Sequence, residues 1–238
     1  GMEVITGTQL QEIAFDGSEY TVRFTESGQP RIRRALHLFN ALGREPNTRH
    51  LNLDAVGIDL NAGGQIVTNS WQQTTQSHVY AAGDCAGPNE IVHIAIAQAE
   101  VAVNHAFGQP ADPVDYSKQV YVVFTDPPLA SIGLSAAELD AQGVDFISAS
   151  YPFDDHGKSI LMEAKHGYVK VLADRAYGRI LGAEIVGPDA GELIHIFSPV
   201  LAMNGTAADM LRAPWYHPTL AEILTYPLED IVGEVGGS

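Results

Sequence analysis

Trp215-Tyr216-His217-Pro218-Thr219-Leu220-Ala221-Glu222 sets an imidazole and a carboxylate on either side of a proline. Proline fixes its own φ, suits the first position of a helix and disfavours helical geometry in the residue before it. The spacing predicts a helix that begins at Pro218, with Leu220, Ile223 and Leu224 as its apolar face. His217 then stands just outside the helix, and Glu222 lies about one turn inside it. A carboxylate so placed orients the imidazole and raises its proton affinity, which makes an acid/base pair. The same octet also reads as a capped helix start with a chance histidine, and on its own it does not separate the two.

Other chemistry is poorly supplied. The nine histidines show no HExxH or other ligand spacing, so no metal site is expected. Neither a Walker A loop nor a GxSxG elbow is present. No GxGxxG follows a strand, so no glycine-rich turn can carry a dinucleotide pyrophosphate. Cys85 is the single cysteine, which excludes a dithiol within the chain and suits a reducing cytosol. The net charge of −16 argues against nucleic acid or an anionic membrane as partner. No apolar run reaches the roughly 20 residues of a transmembrane helix. No signal peptide opens the chain, and Gly1 ahead of Met2 reads as a tag remnant, so a cytoplasmic location is expected.

The chain has 238 residues, 45% of them hydrophobic and 18% charged, enough for one or two domains with sizeable cores. Residues 2–44 read as β-rich, with strand-like runs at 3–6, 12–15, 20–24 and 35–42, and turn signals at Asp16-Gly17 and Ser27-Gly28. Further on, Thr74-Thr75-Gln76-Ser77-His78 is a polar turn before a short apolar strand at 79–82. That strand delivers Gly83-Asp84 at its carboxyl end, where α/β sheets place ligand-contacting groups. Gly-Asp is also the composition of a plain turn or helix cap. Residues 91–107 form an Ala-rich helix of good propensity. Its N-terminus, at Val92-His93-Ile94-Ala95, can stabilise negative charge.

A turn-rich break at 108–113 is the best boundary. Beyond it, strands are expected at 121–124, 129–133, 146–151, 168–173 and 180–186. A capping box at Ser135-Ala136-Ala137-Glu138 opens one helix. Further helices are expected at 190–203, closed by Asn204-Gly205, and at 206–211. Residues from Glu229 onward read as a fraying tail.

HPTxxE following an AxGD strand resembles the C-terminal half of the pyridine nucleotide–disulfide oxidoreductases. Within them the dihydrolipoamide dehydrogenase, glutathione reductase and mercuric reductase group fits best. Gly43-Arg44-Glu45-Pro46-Asn47 is similar to the family's AxGRxPN segment, and the residues from Phe124 to Gly133 to its FTxPxxAxxG segment.

The resemblance implies an α+β chain: partial FAD/NAD(P)-binding α/β segments, then an antiparallel-sheet dimerisation domain. Residues 2–47 would end the NAD(P)-binding domain, 48–110 would be the returning segment of the FAD-binding domain, and 111–238 would dimerise. Gly83 and Asp84 would meet the ribityl chain of FAD. Val92, His93, Ile94 and Ala95 would face the flavin's pyrimidine edge, although His93 also suits an ordinary partly buried position.

His217 would be the acid/base, contributed across a homodimer, with Glu222 as its orienting carboxylate and Pro218 in the cis form. The histidine, generally lacking in mercuric reductases, favours a small dithiol, disulfide or lipoyl substrate. FAD and NAD(P) belong to the complete enzyme, and this chain alone is expected to bind neither. With no CxxxxC, two readings stand: part of a flavin-dependent disulfide oxidoreductase, or a catalytically inactive, flavin-free dimerising protein.

Overall fold

The structure, a computed structural model, describes residues 1–237. It opens with an antiparallel meander of β1 (Thr8–Phe15), β2 (Tyr20–Glu26) and β3 (Gln29–Ala35). Both expected turns are there. Asp16 Oδ1 accepts from the backbone N–H groups of Ser18 and Glu19 at 2.9 and 2.8 Å. Ser27 and Gly28 both take positive φ, 50° and 79°, as a two-residue hairpin requires. The sheet is thin: β1 and β3 are exposed along their length, and only Phe24 of β2 is buried. Two expected strands are missing. Among the described residues, 3–6 have no strand neighbour, and pairing of β3 stops at Ala35 opposite Tyr20, so 36–42 is irregular. Apolar composition suits a strand but does not supply its hydrogen-bonding neighbour.

Residues 36–91 carry little regular structure around a small core of Ile58, Ile66 and Ala81. The strand expected at 79–82 reduces to one bridge, Tyr80 opposite Gln73. Helix α1 (Val92–Ala106) follows, within a residue of its expected ends.

The remaining elements are β4 (Val120–Val123), β5 (Leu129–Gly133), α2 (Ala136–Ala141), β6 (Phe146–Pro152), α3 (Gly157–Leu161), β7 (Tyr168–Asp174), β8 (Ile180–Val186), α4 (Ala190–Leu193), α5 (Phe197–Ala202), α6 (Ala207–Arg212) and α7 (Thr225–Gly236). The five strands form an antiparallel sheet in the order β4-β5-β8-β7-β6. The α+β class holds, and Ser135 and Glu138 close the expected capping box on α2. Phe153, Val169, Val171, Ile185, Phe197 and Ile223 are fully buried between sheet and helices. Gly187 leaves room for this core: a Cβ there would lie 2.3 Å from the Phe153 ring.

Three helical expectations change. The helix expected at 190–203 is α4, a 3-10 turn at Ile194–Ile196, then α5. Pro199 has no N–H to continue an α-helical ladder and is tolerated only in the first turn of a new segment. No helix begins at Pro218 either. The His217–Pro218 peptide is cis, and a 3-10 turn starts three residues later, at Ala221–Leu224. The expected fraying tail is helix α7, with Leu228 and Ile231 fully buried one turn apart.

Candidate active site

The 3-10 turn presents Ile223 and Leu224 to the core and leaves Glu222 at its edge, with only 12% of its side chain exposed. Thr219 shapes the approach. Its hydroxyl donates to the Tyr216 carbonyl at 2.8 Å, and its N–H reaches Glu222 Oε2 at 3.5 Å. The loop so formed brings His217 Nδ1 to 2.9 Å from Glu222 Oε1 and 3.0 Å from Oε2. A carboxylate accepts only, so Nδ1 carries the proton of this contact, and in the neutral ring Nε2 keeps its lone pair. The His217 side chain is 79% exposed, which leaves that lone pair open to a reacting partner. An imidazole held by one nitrogen and free at the other can take up and return a proton.

A second histidine stands behind the carboxylate. His156 lies between β6 and α3, fully buried, with Nδ1 2.8 Å from Ser159 Oγ and Nε2 3.5 Å from Glu222 Oε1. Burial holds its proton affinity below the usual histidine value; the neighbouring Glu222 works in the opposite direction and is outweighed. The Tyr226 ring stands edge-on to His156 at 6.3 Å and stacks on Tyr151 at 4.0 Å. Burial and the bonded Asp155 carboxylate push the Tyr151 phenol up to about 12. Sequence reasoning missed His156, because nothing in the Asp154-Asp155-His156-Gly157 run points to a glutamate on another element.

The other predicted residues form a separate group. Gly83 takes φ +82°, and a Cβ there would touch the Ala95 Cβ at 3.3 Å, so this loop lies against the first turn of α1. That turn has no side-chain cap and no acidic residue; Val92 and His93 are exposed there, whereas Ile94 is buried. His93 faces a cleft of about 460 Å³ with Val120, Tyr121, Phe124 and His195. Asp84 is half-exposed and meets Arg44 at 3.3 Å, while Arg44 also pairs with Glu90 at 2.8 Å.

Gln98, likewise missed, is fully buried and fixes the loop from beneath. It accepts from the Gly83 N–H at 2.7 Å and donates to the Gly87 carbonyl at 2.6 Å. A lone glutamine inside a helix gives no sign of such a role. Among the described residues, no hydrogen bond or ion pair joins this group to His217 and Glu222.

Two family models match nearly end to end. The pyridine nucleotide-disulphide oxidoreductase model takes residues 1–106, and the dimerisation domain of the same family takes residues 120–227. The chain belongs to the pyridine nucleotide-disulphide oxidoreductases. Over 236 residues it is 31% identical to a dihydrolipoyl dehydrogenase of Mycobacterium leprae, covering 99% of this chain and 50% of the relative. It is 32% identical to a mercuric reductase of Acidithiobacillus ferrooxidans, with 99% and 42% covered. The crystal structure of LpdA from Mycobacterium tuberculosis superposes with a TM-score of 0.85 at 26% identity, covering 94% of this chain and 48% of that one. The chain thus spans about half the length of these members of the family.

Proposed function

We propose that this chain acts as the C-terminal half of an FAD-dependent pyridine nucleotide–disulfide oxidoreductase of the dihydrolipoamide dehydrogenase type, working on a small dithiol or lipoyl substrate. The observation that carries the reading is the His217 ring, held at Nδ1 by Glu222 and open at Nε2. Nε2 takes the proton of a substrate thiol, the thiolate attacks one sulfur of a disulfide, and that S–S bond breaks as the new one forms. The second sulfur leaves as a thiolate, and the imidazolium is stabilised by Glu222 until its proton is returned.

The disulfide belongs to the other half of such an enzyme, since Cys85 stands alone here. The separation of His217 from the Asp84 group within one chain suits a homodimer, in which this histidine serves the partner's flavin side. Residues 2–47, 48–110 and 111–238 then keep the three domain roles that the resemblance implies.

Gly83, Asp84 and the uncapped start of α1 fit one end of FAD: an exposed carboxylate for a ribityl hydroxyl, and free N–H groups for an anionic ring edge. Bound there, FAD would supply the two-electron redox chemistry that dithiol oxidation needs. The residues present do not fit a dinucleotide pyrophosphate, because no GxGxxG turn follows a strand in the sequence, so no step is assigned to NAD(P).

Subunit complementation in the full-length flavoprotein tests the reading. Subunits carrying His217→Gln are mixed with subunits in which the redox-active cysteines are serine. Each parent homodimer should be inactive with dithiol, and the mixture should regain turnover. No recovery in mixtures shown to contain heterodimers would overturn the arrangement.

A further inference from the structure

We propose that His156 is a positioning residue for Glu222, holding the inner side of the carboxylate that His217 takes from outside. The inference rests on the acid/base reading of His217. The His156 ring is fully buried, and its Nε2 has no hydrogen-bond partner. The acceptor it meets, Glu222 Oε1 at 3.5 Å, is a contact slightly too long for a full hydrogen bond. Ser159 Oγ lies 2.8 Å from Nδ1. With the hydroxyl donating there, the ring proton sits on Nε2 and is directed at the carboxylate.

The groups facing His156 are few. Ser159 comes from α3, Glu222 from the 3-10 turn and Tyr226 from α7, with His217 beyond the carboxylate. Tyr151 and Asp155 lie behind the Tyr226 ring. Among the described residues, no lysine or arginine pairs with Glu222, and its ion-pair partners are the two histidines. That choice has a consequence for His217. A buried cation would take up the carboxylate's charge. A neutral imidazole fixes the position of the carboxylate and leaves its charge to the imidazolium that forms on His217.

The test is the ring tautomer of His217, read from its ¹⁵N shifts in this chain above its titration, together with the urea midpoint of each variant. In the unaltered chain the Nδ1–H form should dominate. His156→Phe, which removes the donor, should reduce that form to a minority. His156→Gln, which keeps an N–H donor, should restore it. If His156→Phe does not fold, Ser159→Ala carries the test; with the Nδ1 partner removed, the Nδ1–H share on His217 should fall in the same direction but less.

An unchanged tautomer in a folded His156→Phe chain, or in Ser159→Ala where His156→Phe does not fold, overturns the positioning role. Recovery absent in a folded His156→Gln chain also overturns it, because packing alone would then explain the loss. A dominant Nε2–H form in the unaltered chain would instead remove the His217–Glu222 pair itself, and with it the reading on which this inference rests.

Discussion

His217 and Glu222 meet through one nitrogen and both carboxylate oxygens, at 2.9 and 3.0 Å. The carboxylate is nearly buried and the imidazole is not. Orientation is therefore supplied from the protein side and reactivity is presented to solvent. From this inequality follow the expected effects of changing either partner.

Glu222→Gln keeps an acceptor oxygen for Nδ1 but removes the charge that favours the imidazolium. In the full-length enzyme dithiol turnover should fall, by less than the roughly 10²- to 10⁴-fold expected for loss of the acid–base group itself. Glu222→Ala also leaves His156 and the Thr219 N–H without their acceptor, and should destabilise the chain by about 1–3 kcal/mol. Urea midpoints of the two variants compare these costs directly; equal midpoints would contradict the packing described for Glu222.

Because burial lowers the proton affinity of folded His156 below its ordinary 6.5, the unfolded chain binds this proton first as pH falls. The His156 contribution to stability is present above pH 6.5 and is lost progressively between 6.5 and the lowered folded value. Denaturation across about pH 5 to 8 should show stability dropping below 6.5 in the unaltered chain. His156→Gln cannot titrate, so its curve should be flatter there. Parallel curves would contradict a neutral buried His156.

Ile231→Ala probes the last helix. Ile231 is fully buried with Leu228 on the face of α7 packed on β6 and β7. The truncation should cost about 2–5 kcal/mol, as for other buried aliphatic side chains. A loss near zero by urea denaturation would mean that these residues fray after all.

What the sequence revealed and what it hid divide along one physical line. Local chemistry was readable: the Ser135 capping box, the Asp16 and Ser27-Gly28 turns and the span of α1 all depend on residues a few positions apart. The His217–Glu222 contact belongs with them, because it closes over a short loop. Features that depend on a distant partner were not readable. Residues 79–82 look like a strand, but among the described residues their sheet pairing amounts to one isolated bridge, Tyr80 opposite Gln73. The acidic start of the last segment hid α7, because its burial is supplied by a sheet formed far earlier in the chain. His156 and Gln98 escaped notice for the same reason: a single polar residue does not announce the group it will meet after folding.

The measurement that bears most directly on His217 separates the two half-reactions of the full-length flavoprotein by anaerobic stopped-flow. Dithiol reduction of the enzyme and reduction by pyridine nucleotide are followed in the unaltered protein and in His217→Gln. The dithiol half-reaction should slow by roughly 10²- to 10⁴-fold, while the pyridine nucleotide half-reaction keeps its rate. A dithiol half-reaction of unchanged rate in His217→Gln would contradict the role given to this histidine.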